Sequence, residues 1–148
     1  MRSLFCCVLK NKRGVTAIEF ALISPVMLTL LTGIFQFGVA MNHQLNLTNA
    51  VAQGALTIAL SRGTTTPYTS ATSAIASAAP SLAAAQTTIT VRINGVACTT
   101  DPTCTAAMVA GVSAIVRATY PCNLVIMGVN YAPGGTCTLS AQSAQMIQ

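Results

Sequence analysis

Hydrophobic positions divide this chain into an unbroken apolar run near its start and a longer, mixed remainder. From Phe20 to Met41 no side chain is charged, and the run meets the roughly 20 apolar residues that a bilayer span requires. Polar residues surface at Asn42-His43-Gln44-Leu45-Asn46, yet helical periodicity continues beyond them. Leu45, Thr48, Ala52, Ala55 and Ala59 fall on one stripe, with Leu56 and Leu60 beside it. No proline lies between Val26 and Thr66, so the pattern predicts one helix from about Val15 to Ser61, its distal half amphipathic and projecting from the bilayer. Arg62-Gly63 supplies the stop, a cation and then a glycine.

Past the helix the period changes. Residues 63–68 read as a loop, and Thr69 to Gln86 as an Ala/Ser-rich helical stretch that Pro80 breaks. In Thr87-Thr88-Ile89-Thr90-Val91-Arg92-Ile93 the apolar residues alternate with polar ones, which predicts a half-buried strand ending in an Asn94-Gly95 turn. Val112, Ala114, Val116, Ala118 and Tyr120 predict the inner face of a second strand, and Leu124 to Tyr131 a third. The tail from Thr138 to Gln148 has no decisive period. The fold class is α+β: a long N-terminal transmembrane helix carrying a small extracytoplasmic head. The divisions are a basic leader at 1–14, a span at 15–41, a helix extension at 42–62 and the head at 63–148.

Charge changes the picture only after it is mapped. The formal net charge is +5 and charged residues make up 6% of the chain, with a mean hydropathy of +0.65. Arg2, Lys10, Lys12 and Arg13 stand ahead of the span, leaving Arg62, Arg92 and Arg117 beyond it. That spread offers no clustered basic track for phosphates, so nucleic acid is not an expected partner. The basic flank reads as cytoplasmic by the positive-inside rule, which puts everything after Asn42 outside. A cleaved secretory signal would have a shorter apolar core and a small-residue exit, and neither is present.

Cysteine usage agrees with that topology. Cys98, Cys104, Cys122 and Cys137 fall in the external part, where disulfides persist. Four thiols allow three pairings and the sequence does not choose among them. The simplest, Cys98–Cys104 with Cys122–Cys137, closes two loops around turn residues (Asp101-Pro102; Pro133-Gly134-Gly135), each closure contributing about 2–3 kcal/mol. There is no CxxC and His43 is remote, so neither a metal site nor another cofactor is expected. Cys6 and Cys7 lie on the cytoplasmic side and precede the apolar run, which argues against lipid anchoring.

The parts for catalysis are missing: the chain holds one His, one Asp and one Glu. A Ser-His-Asp constellation would have to join His43 at the membrane surface to Asp101 in a cysteine-bounded loop. No enzyme activity is expected. Two features of the span stand out instead. Thr29, Thr32, Gly33, Gln36 and Ala40 fall on one side at helical spacing, the kind of small and polar face through which helices pack in lipid. Glu19 is the other, because a carboxylate at a helix centre in a bilayer costs about 2.5–3.5 kcal/mol. In an intact chain it can snorkel back to Arg13. If the chain is cut after Gly14, the new amine of Val15 lies four residues away on the same helical face. Glu19 can then pair with that amine or with a neighbouring subunit's.

The run Lys12-Arg13-Gly14-Val15-Thr16-Ala17-Ile18-Glu19-Phe20-Ala21-Leu22, then Pro25 and Gly33-Ile34-Phe35-Gln36-Phe37-Gly38, resembles the N-terminal signature of TadE-like proteins. These are minor pseudopilins of the tight-adherence (Tad/Flp) pilus, a branch of the type IV pilus systems. TadF-like proteins share the signature. The resemblance implies a pilin-like subunit cut between Gly14 and Val15 by a prepilin peptidase in the bacterial inner membrane. It also implies that Glu19 and Phe20 serve processing or assembly, with other pilins, pseudopilins and the Tad assembly machinery as partners. The family often has an acid where this chain has Gln36. The alternative is an uncleaved, single-pass anchor for an extracytoplasmic binding domain.

Overall fold

The computed structural model describes the backbone of residues 12–122, 125–126, 128–130 and 136–148. Helix α1 runs without interruption from Lys12 to Leu60 and includes Pro25. Its lower part stands free, with Phe20, Leu22, Phe35 and Phe37 all exposed. The upper part, from Leu47 on, is the spine of the head. The apolar stretch with a mean hydropathy of 1.9 lies in the part of α1 that the head leaves uncovered, and by length and composition the helix can cross a membrane. It stops where Gly63 takes a φ of 84°, and the Thr64 N–H bonds the Ser61 carbonyl at 3.1 Å.

Around that spine lie α2 (Pro67–Ala78), a 3-10 turn (Ala84–Gln86), β1 (Thr88–Ile93), β2 (Val96–Cys98), α3 (Asp101–Ala107) and β3 (Ser113–Cys122). A short hairpin, β4 (Val125–Ile126) with β5 (Val129–Asn130), and β6 (Cys137–Met146) complete the chain. The main sheet is antiparallel in the order β2-β1-β3-β6. Asn94 (φ 51°) and Gly95 (φ 79°) turn β1 into β2. Left-handed values at both central residues suit a two-residue hairpin, and Asn-Gly tolerates them.

One face of the sheet closes on α1. Val91, Ile93, Ala114, Val116, Ala118 and Ala141 meet Leu47, Ala50, Val51, Ala55 and Ile58 in a single core, with Ala71 and Ile75 of α2 in the same cluster. So many alanines bring backbones close together. Gly54 is the tightest point: a Cβ there would collide with Ile75 Cγ1 and lie 2.6 Å from its Cδ1. At the far end the Gln148 N–H bonds the Ala59 carbonyl at 3.3 Å, tying the end of the chain to the top of α1.

The structure corrects the sequence reading in four places. The buried stripe of α1 is Leu47, Ala50, Val51, Ala55, Ile58 and Ala59, whereas Leu45, Leu56 and Leu60 are exposed. Asn46, Asn49, Gln53 and Thr57 recur on the opposite face of this half, so the polar residues mark the phase and a stripe chosen from the apolar ones alone falls beside the buried one. Asp101-Pro102 opens α3 and is not a turn, the proline sitting in the first helical turn where its missing N–H does no harm. In place of one strand over 124–131 there is the β4–β5 hairpin, turned at Gly128 (φ 82°); Leu124, Met127 and Tyr131 lie outside the described residues. The ambiguous tail is the ten-residue edge strand β6, paired with β3 along its whole length.

Candidate functional site

Two regions of α1 carry the candidate chemistry, and the backbone between them is continuous. In the lower region Glu19 and Phe20 are exposed. Gly14 and Val15 belong to the same helix; their side-chain surroundings lie outside the described residues. With 3.6 residues per turn, Val15 and Glu19 share one face. Pro25 supplies no N–H to the turn before it, and its own carbonyl accepts the Thr29 hydroxyl at 2.8 Å. The Thr32 hydroxyl lies 2.9 Å from the Leu28 carbonyl and 3.0 Å from that of Thr29. Both threonines therefore present an oxygen and a methyl outward, with their protons directed into their own helix.

Thr29, Thr32 and Gly33 stand below the head. Gln36 does not: it reaches the joint between helix and head, where it lines a cleft with Val39, Ala40, His43, Gln86, Tyr120, Pro121 and Cys122. His43 meets the Tyr120 ring edge-on, with centroids 5.7 Å apart and planes at 87°. The 3-10 turn brings Gln86 to the cleft, and β3 brings Tyr120. Sequence reasoning missed both, Gln86 because nothing local marks it and Tyr120 because alternation placed it simply among core residues.

Two disulfides brace the head. Cys98 is bonded to Cys104, joining β2 to α3, and Cys122 to Cys137, joining the directly opposed ends of β3 and β6. Each pair has its Cα atoms 5.0 Å apart. Cys104 and Cys98 are fully buried.

Asp101 and His43 are engaged separately. The Asp101 carboxylate accepts the Thr69 backbone N–H at 2.9 Å and the Thr69 hydroxyl at 2.6 Å. The hydroxyl bond, then the backbone bond, hold its pKa below the ordinary 3.8. It thus caps the first turn of α2, where Thr66 makes no side-chain cap. Among the described residues no group of three or more His, Cys, Asp or Glu converges as a metal site would require.

No curated protein and no solved structure matches the chain. A family model does match, described as TadE-like protein, over residues 14–56. The matched stretch begins at Gly14, contains Glu19 and the polar face, and ends on the part of α1 that the head covers. Across residues 14–56, the long helix of this chain is similar to that of TadE-like proteins.

Proposed function

We propose that the chain is a minor pseudopilin of the tight-adherence pilus, held by one span in the bacterial inner membrane with its head outside. The family match across residues 14–56 carries this reading. A prepilin peptidase hydrolyses the Gly14–Val15 peptide bond, and the basic leader, with Cys6 and Cys7, departs. The Val15 amine so released is a cation at neutral pH. Glu19, one helical turn further on, neutralises it or the amine of an adjacent subunit within lipid. An unpaired charge there is costly, so the pair fixes the register in which helices stack.

Assembly then proceeds by helix–helix packing along Thr29, Thr32 and Gly33, where small side chains let backbones approach. Other pilins and pseudopilins, the assembly machinery and the surrounding lipid are the partners. The chain works as a structural subunit and turns over no substrate.

Intact mass of the chain made together with a Tad prepilin peptidase tests the reading. The expected product begins at Val15, and Gly14→Arg leaves the leader in place. A working protein that keeps Met1, or a Gly14→Arg variant that is shortened normally, would overturn the processing step. The uncleaved anchor would then be the better description.

A further inference from the structure

We infer that the cleft between α1 and the base of the head holds a phospholipid of the bilayer that anchors the chain, a site resting on the membrane-span part of the reading above. Four observations meet there. The cleft has a volume of about 220 Å³, suited to a glycerol-phosphate fragment with the acyl chains left in the bilayer. Its polar lining is Gln36, His43, Gln86 and Tyr120. Among the described residues none of these side chains has a hydrogen-bond partner, and His43 and Tyr120 touch only through their rings.

Tyr120 is the third observation. It is nine-tenths buried, yet no fully buried side-chain nitrogen or oxygen lacks a partner among the described residues. Its hydroxyl therefore keeps access to the outside, and the cleft it lines is the opening. A tyrosine so deeply packed normally finds a partner for its hydroxyl.

Position is the fourth. The apolar run ends at Met41, so Gln36 lies within the outer edge of the span and His43 just beyond it. Seven residues of helix between them rise about 10 Å. The polar interfacial layer of one leaflet is about 5–8 Å thick, so the lining spans the depth of phosphates and glycerol esters. The chemistry agrees. Two carboxamides, a phenol and an imidazole offer several N–H and O–H donors, and no carboxylate lines the cleft. Lipid esters and phosphates are acceptors. Tyrosine at this level also sits where amphipathic rings are favoured.

The test uses the full chain in nanodiscs of palmitoyl-oleoyl phosphatidylethanolamine, released into the gas phase for native mass spectrometry. The wild type should retain one phospholipid. Tyr120→Phe with Gln86→Ala should lower the retained fraction at least fivefold, whereas Thr90→Ala on the opposite sheet face should not change it. Gln86 is exposed, so Gln86→Ala alone leaves the core intact and should already reduce retention. Equal retention in all variants, or none in the wild type, overturns the site. So does glycerol 3-phosphate binding the detergent-solubilised chain as tightly as the lipid does, or a second chain occupying the cleft in its place. Alkaline extraction of membranes separates the two readings: a chain that washes out defeats the anchor and this site together. A chain that stays, with retention unaffected by the variants, defeats this site alone.

Discussion

Asp101 serves two helices at once. It opens α3, where a negative charge suits the positive end of the helix, and its carboxylate closes the first turn of α2 through Thr69. Apart from Glu19 it is the only acid in the chain. Its pKa is lowered by these bonds, which sets the sign of the pH effect. A depressed folded value means that the stabilisation is complete above the unfolded value and is lost as pH falls through the folded one. Thermal melts of the full chain in detergent should therefore show a melting temperature that drops below about pH 4. In Asp101→Asn that drop should be absent, with a lower plateau at neutral pH. Parallel curves for the two proteins would show that the carboxylate does not couple to folding. Nothing in the sequence pointed from Asp101 to Thr69, since the residues are far apart in the chain and are joined only by the docking of α2 beside α3.

At the scale of elements, the contact of α1 with α2 depends on an absent side chain. A helix-interior Gly→Ala change normally favours the helix by up to about 1 kcal/mol. At Gly54 the new methyl would enter the space of Ile75, itself 3% exposed. Gly54→Ala should lower stability by about 1–3 kcal/mol, measured by denaturant titration. Combined with Ile75→Ala, the loss should be smaller than the two single losses added, by at least about 0.5 kcal/mol. A Gly54→Ala variant as stable as the wild type would mean that α2 shifts freely. The same elements show which parts of the fold were legible. The strands β1 and β3 and the Asn94-Gly95 turn could be read because large apolar residues alternate with threonine and arginine. The edge strand β6 could not, because its inward positions are Leu139, Ala141 and Ser143 and its outward ones Ser140, Gln142 and Ala144, a contrast too weak to show a period. Helix α3 was hidden by its proline and by Cys104 within it, although Thr100, whose N–H bonds the Thr103 hydroxyl at 3.2 Å, marks its start. The polar face of the span was grouped by helical spacing alone. That Gln36 belongs to the joint with the head required the sheet, since only the fold brings Tyr120 and Gln86 against it.

For the molecule as a whole, the two ends of α1 do different work. In the proposed function its base associates within lipid, while its top is already covered by the head. If Glu19 neutralises an amine during assembly, Glu19→Ala should lower pilus yield by roughly tenfold or more, because the pairing offsets a cost of about 2.5–3.5 kcal/mol. Insertion of the variant, followed by membrane fractionation, should be unchanged. Wild-type yield from Glu19→Ala would leave the acid without that role.

The absence of any break in α1 between Lys12 and Leu60 has a mechanical consequence. A shaft of 49 residues is about 73 Å long, and torsion applied at its foot arrives at its top. Whatever angle the foot adopts against its neighbours, the azimuth of the sheet follows. One residue inserted after Leu31 should rotate the head by about 100° relative to the foot, with both parts still folded. Such an insertion would redirect the crown of the subunit without altering a single atom of it.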